Sequence, residues 1–92
     1  MNEVINDKQG SRFVLEVEGE EVYLLYAEDK ETIDLYSTYT PANLRGRSLA
    51  AKVVAVAFEY AKKNDLKVIP GCWYVRKFLE KHPEYHEIVL DH

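Results

Sequence analysis

The stretch Pro41–Val75, "PANLRGRSLAAKVVAVAFEYAKKNDLKVIPGCWYV", decides the fold. It begins with a turn, passes through a small polar knot, "LRGRS" at 44–48, and enters a long run of Ala and Val. From Ser48 to Lys63 the polar positions are Ser48, Lys52, Glu59, Lys62 and Lys63, and with Ala55 they form one stripe at spacings of three and four. The remaining positions include Leu49, Ala50, Val53, Val54, Val56, Ala57, Phe58, Tyr60 and Ala61. A helix with so narrow a polar stripe is buried around most of its circumference, so it is expected to lie across a sheet. "KND" at 63–65 ends it, with Asn64 able to take the left-handed cap. "LKVIP" at 66–70 then reads as a short apolar strand, broken by Pro70 and Gly71.

Upstream, the period is two. Phe13, Leu15 and Val17 share one face of a first run, and Val22, Leu24 and Tyr26 continue it after "EGEE", a hairpin turn pivoting on Gly19. "EDKE" turns again, and Ile33 and Leu35 lead a third run ending near Tyr39. These runs predict an antiparallel meander of three strands. The third run, the helix and "LKVIP" make a strand–helix–strand unit, whose second strand should lie parallel to the first. Downstream, "WYVRKFLEKH" places Tyr74, Phe78 and Leu79 at helical spacing until His82-Pro83 stops it, and "HEIVL" reads as a last strand. The fold class is therefore α+β: a mixed sheet, antiparallel meander plus one parallel strand, with two packed helices. No repeat, linker or low-complexity segment interrupts the chain, so residues 1–92 are expected to form a single domain.

The bulk numbers narrow the function. Ninety-two residues with 47% hydrophobic and 30% charged side chains can bury roughly 60–65% of the unfolded surface. No 18-residue apolar run is present, "MNEVINDKQGS" lacks a signal-peptide core, and the single cysteine cannot form an internal disulfide. These features suggest a soluble, cytoplasmic, monomeric protein without a membrane association. Net charge is −4, with Glu16, Glu18, Glu20, Glu21, Glu28, Asp29 and Glu31 crowding the first half. A nucleic acid as main partner needs a basic footprint and is disfavoured. Three separated histidines, His82, His86 and His92, with one cysteine make no metal site.

The knot at the helix mouth is the first functional signal. The first four amides of a helix lack intrahelical partners, and the helix dipole adds partial positive charge there. An anion can serve as both partner and counter-charge. Gly46 lets the backbone approach such a ligand closely, and Arg45 and Arg47 add charge. The alternative is a solvated loop in which Ser48 merely caps the helix.

Beyond this reading, "LRGRSLAAKVVAVAFEYAKKNDLKVIPGCWYVRKFLEKHPEY" resembles the second half of the GNAT superfamily of acetyl-CoA-dependent N-acetyltransferases. The superfamily motif is Gln or Arg, two residues, Gly, one residue, then Gly or Ala. The corresponding segment here is Arg45, Gly46, Arg47, Ser48, Leu49, Ala50. Within the superfamily the chain is similar to a group of minimal members, through Arg45-Gly46, Val68-Ile69-Pro70, Cys72, Tyr74-Val75 and His82-Pro83-Glu84-Tyr85. The resemblance is strong over 33–88 and loose over the meander, and the ordered set of motifs is far more specific than any one of them.

The resemblance implies that backbone amides of Leu44, Arg45, Gly46, Arg47, Ser48, Leu49 and Ala50 cradle the CoA pyrophosphate. It also implies that the third strand and "KVIP" splay apart to admit the pantetheine arm. One departure is Ser48, where the family prefers glycine. Acetyl transfer to an amine needs a bound thioester, a neutral amine, a polarised carbonyl and a proton for the departing thiolate. Family members resemble one another in using a tyrosine after the last shared strand as the acid, which points to Tyr74; a tyrosine at helical spacing can equally be core. Small members carry a cysteine near the acyl group, which points to Cys72. It stands at a helix start, where a thiol's pKa can fall, and reads either as a nucleophile or as slot lining. Asp34 reads as a general base or as a solvent-facing residue, and Trp73 as a wall on the acceptor side. The "HP" segment at His82 lies near the nucleotide in the family, while His86 and His92 read as surface residues.

The implied function is an acetyl-CoA-dependent N-acetyltransferase acting on a primary amine, on a small molecule or a protein lysine. The acidic first half favours a cationic acceptor. The alternatives are a non-catalytic acetyl-CoA or CoA-binding protein, because helices that usually form the acceptor site are missing from so short a chain, and an interaction protein that has kept only the fold.

Overall fold

The computed structural model describes residues 3–90. Its five strands are β1 (Ile5–Asp7), β2 (Arg12–Val17), β3 (Glu20–Glu28), β4 (Thr32–Tyr39) and β5 (Lys67–Ile69), side by side in chain order. β1 to β4 are antiparallel, and β5 joins β4 in parallel through Thr32↔Lys67, Ile33↔Val68 and Asp34↔Ile69. The intervening helix α1 (Leu49–Lys63) crosses the sheet and packs on β2, β3, β4 and β5. A second helix, α2 (Trp73–Glu80), follows β5. The expected mixed α+β sheet with two helices is what forms.

Local chemistry explains most of these elements. Glu18 and Gly19 both have positive φ, 54° and 80°, and connect Val17 directly to Glu20. That is a two-residue turn of the hand that matches strand twist. The Asp29 carboxylate accepts from the amides of Glu31 and Thr32 and from the Thr32 hydroxyl, which closes the β3–β4 turn. Three valines in α1 have modest helix propensity, a deficit of up to about 0.7 kcal/mol each. Fully burying a valine returns roughly 1.5–3 kcal/mol, so Val53 and Val54, both buried, make the helix a product of packing.

The structure departs from the sequence expectations in four places. A short first strand, β1, pairs with β2 outside the three-strand meander. Val56 is exposed at the edge of the α1 stripe. The left-handed residue after α1 is Asp65, φ 55°, because Asn64 stays at φ −104° and turns its side-chain amide back to the Tyr60 carbonyl. "HEIVL" is mostly a 3₁₀ helix, Pro83–Ile88, and only Val89 bridges to Val68. The 3₁₀ turn carries Tyr85 into the core, where its ring lies 4.9 Å from Phe58 and its hydroxyl donates to Glu59. A continued strand would lose that burial.

One irregularity positions the site. Between Tyr26↔Leu35 and Leu25↔Ser37 the β3–β4 register shifts by one residue, leaving Tyr36 as a bulge. Before it, Ile33 and Leu35 face α1. After it, Thr38 stands opposite the fully buried Leu24 and takes over the inward face, while Tyr39 pairs with Tyr23 on the other side.

Candidate functional site

Inward-facing Thr38 opens onto a groove of about 500 Å³. Its walls are the end of β4 (Thr38, Tyr39, Thr40), the mouth of α1 (Leu44, Arg45, Gly46, Ser48, Leu49, Ala50) and the start of α2 (Trp73, Tyr74). Every loop residue singled out from the sequence lines this groove except Arg47. Its guanidinium turns away to Glu18, 2.8 Å, and ties the loop to the β2–β3 turn. Arg45 buttresses the loop from within, its Nε donating to the Thr40 carbonyl.

The mouth is built to leave amides free. Gly46 has φ 83°, and a Cβ placed on it would meet no heavy atom within 4 Å. Ser48 is the residue before α1, with φ 59° and ψ 26°, and makes no side-chain capping hydrogen bond. A serine cap normally holds extended φ and ψ so that its oxygen can reach the amides ahead. The left-handed conformation prevents this, so Ser48 does not cap the helix, although Arg45 to Ser48 are solvent-exposed as the loop alternative has it. The first helical hydrogen bond is Lys52 N–H to the Ser48 carbonyl, and no acidic side chain occupies the first turn. The amides of Leu49, Ala50 and Ala51 therefore point out of a 15-residue helix without a backbone or capping partner among the described residues. An anion at this end gains both the free donors and the dipole. Gly46, the free amides and the groove together make a place where an anion can bind.

β4 and β5 pair over only three residues, the ladder stopping at Asp34↔Ile69 although β4 runs on to Tyr39. Past that point Gly71 backs against Tyr36, and Cys72 puts Sγ 3.6 Å from Thr38 Oγ1. Cys72 is 7% exposed and stands behind the Thr38 wall of the groove. Burial pushes its thiol pKa up. The Thr38 hydroxyl, the Tyr74 and Val75 amides at the start of α2 and the Thr38 amide outweigh that and hold it below the ordinary thiol value. None of the α2 amides closes to a capping hydrogen bond with the sulfur. Tyr74 is half-buried in the groove wall, and burial raises its phenol, which keeps it protonated at neutral pH. Trp73 stands beside it, ring centroids 5.9 Å apart, and is 65% exposed at the rim.

Other sequence candidates lie elsewhere. His82 stacks on Phe78 at 4.1 Å and pairs with Glu84, away from the groove lining. His86 is exposed and bonds the Leu79 carbonyl, and His92 falls outside the described residues. Thr38, Tyr39 and Thr40 line the groove without having been singled out as site residues, and strict alternation from Ile33 and Leu35 would aim Ser37 inward in place of Thr38. No helix among the described residues is long and apolar enough to cross a membrane.

Comparison with known proteins adds an independent line. Residues 12–88 match the model of a family described as GCN5-related N-acetyl-transferase. The chain is 35% identical over 92 residues to Protein NATD1 of Danio rerio, covering 95% of this chain and 84% of that protein. It is 31% identical over 83 residues to Protein NATD1 of Mus musculus, covering 87% and 76%. Against Protein NATD1 of Homo sapiens it is 30% identical over 83 residues, covering 87% and 74%.

Proposed function

Because the chain belongs to the GCN5-related N-acetyltransferase family, we propose that it transfers an acetyl group from acetyl-CoA to a primary amine. The observation that carries this reading is the uncapped mouth of α1, with Gly46 and Ser48 in left-handed conformations, opening into the same groove as Tyr74. The Leu44 and Arg45 amides, expected to join the cradle, donate instead to the Pro41 and Ala42 carbonyls, so the amides from Gly46 to Ala51 receive the pyrophosphate, and the groove between the end of β4 and the start of α2 takes the pantetheine arm.

The chemistry is direct transfer. The acceptor nitrogen attacks the acyl carbon, the C–S bond breaks, and the departing sulfur takes the Tyr74 hydroxyl proton. The amide nitrogen loses its surplus proton to water, and the tyrosinate recovers one from solvent, so the net products are an amide and a free thiol. A second reading is covalent: the Cys72 thiolate attacks the acyl carbon and breaks its bond to the CoA sulfur, which leaves and takes a proton from solvent; the amine then attacks the Cys72 thioester, giving the amide and the free Cys72 thiol, with the surplus amine proton passing to water. The Thr38 hydroxyl against Cys72 Sγ, with the thiol held below its ordinary value, favours it.

Acetyl-CoA at a hundred times its dissociation constant should stabilise the fold by about 2.7 kcal/mol. For a domain of this size that is roughly 10 °C or more in melting temperature. No shift with millimolar acetyl-CoA or CoA would overturn the reading. Turnover assays on Tyr74→Phe and Cys72→Ala then separate the two chemistries. Direct transfer predicts a loss of about 100-fold or more in the first variant and near-native rate in the second, and the covalent route predicts abolished turnover in the second with CoA binding intact.

A further inference from the structure

Among the described residues Asp34 has no hydrogen-bond or ion-pair partner. It stands on the last rung of the β4–β5 ladder, between the core residues Ile33 and Leu35, and so on the sheet face turned away from α1. Its Oδ1 is shielded from solvent and unbonded, and the carboxylate makes no hydrogen bond or ion pair among the described residues. The residue packed over it is Gly71, where even a Cβ would come within 2.5 Å of Oδ1 and 3.3 Å of Tyr36 Cα. The next residue is Cys72, whose sulfur lies against Thr38 on the groove side. A buried polar oxygen without a donor is costly unless a ligand supplies one. Here the carboxylate sits where the strands part, across the sheet from the groove, on a face whose Tyr36 is 47% exposed.

We infer that Asp34 is the receptor for a cationic acceptor, an alkylammonium on an unbranched stem, entering from the bare sheet face opposite the acyl donor. This rests on the acetyltransfer reading for its chemical sense, since the nitrogen must reach the acyl carbon from the side the donor leaves open. The carboxylate collects the amine in its charged form, which gives up one proton to water before its nitrogen attacks, and the exposed Tyr36 ring offers an apolar and cation-binding neighbour for the stem. Asp34 acts on recognition, and the acyl-transfer chemistry belongs to the groove side.

The test is Asp34→Asn, which preserves shape and removes the charge. The expected result is a rise in KM of about tenfold or more for n-butylamine, with kcat and CoA affinity near parent values. An arylamine, neutral at the assay pH, should be unaffected. Nα-acetyl-lysine methylamide as a third acceptor distinguishes a protein lysine from a free amine as the source of the cation. A second readout does not need turnover: n-butylammonium titrated into the CoA-loaded and the free protein should move the Gly71 and Asp34 amide resonances in the parent and not in Asp34→Asn. The melting temperature of the variant should match or exceed the parent's, because a structural aspartate would lose stability on the same change. Unchanged KM for n-butylamine, an equal loss for the arylamine, or amide shifts that persist in Asp34→Asn would each overturn the assignment. Ammonium binding without any response to CoA would instead sink the acetyltransferase reading and leave the cation site standing.

Discussion

Gly46 allows the helix mouth to be tested with stability and binding read separately. Its φ of 83° lies in the left-handed region, yet a Cβ there meets nothing within 4 Å. The penalty for a side chain is thus torsional and not a clash with the protein itself. An ordinary L-residue in this region is disfavoured by about 1–2 kcal/mol, while Asn tolerates it far better. For a domain of this size each 1 kcal/mol shifts melting by roughly 4–8 °C. Gly46→Val should therefore melt roughly 5–15 °C lower, and Gly46→Asn only a few degrees lower at most. Both place a side chain in the space the phosphate needs, because Gly46 lines the groove. Losing one amide-to-phosphate hydrogen bond removes about 1.5–3 kcal/mol, which is about 10- to 100-fold in Kd. The assay is calorimetric CoA titration at fixed salt, beside thermal melts followed by circular dichroism. The decisive variant is Gly46→Asn: if it melts near the parent and binds CoA as tightly, the mouth of α1 is not the phosphate site.

Two further outcomes follow from the groove. Thr38→Val removes the hydroxyl that lowers the Cys72 thiol while leaving the burial that raises it, so the pKa rises and the pH profile of thiol alkylation moves to higher pH; an unchanged profile would show that Thr38 does not tune the sulfur. Ser48→Ala should alter urea-measured stability by less than about 0.5 kcal/mol, since its hydroxyl caps nothing, whereas a loss of about 1 kcal/mol or more is what a working cap would give.

The order of strands and helices was legible because it rests on two periods. The alternation of Phe13, Leu15, Val17, Val22, Leu24 and Tyr26, and the narrow polar stripe of α1, each report which face meets the core. The loop Leu44–Ala50 was legible because glycine and arginine there stand at a helix start. What stayed hidden was set by single-residue events that leave no periodic trace. β1 is three residues, Ile-Asn-Asp, too short to show alternation. The bulge at Tyr36 inserts one residue, and a one-residue slip sends every later side chain to the opposite face. That slip puts Thr38 in the groove and beside Cys72, and no pattern in "DLYSTYT" announces it.

The same limit applies to Ser48, and here the structure supplies a cause that the resemblance could not. The family prefers glycine at this position, and the backbone explains the preference: φ is 59°, in the region where a Cβ is disfavoured. Serine survives there without the capping bond that would justify its choice in an ordinary helix start. The conformation is thus retained against local preference, at an expense of order 1–3 kcal/mol for such a residue. Its effect is to turn the amides of Leu49, Ala50 and Ala51 outward beside Gly46 with no side chain answering them. A helix mouth selected for stability alone would relax Ser48 to extended φ and ψ and let its oxygen fill that role. Gly46, at ease with positive φ, and Ser48, held there against its preference, flank the same set of free donors, and an anionic ligand there would offset the strain at Ser48.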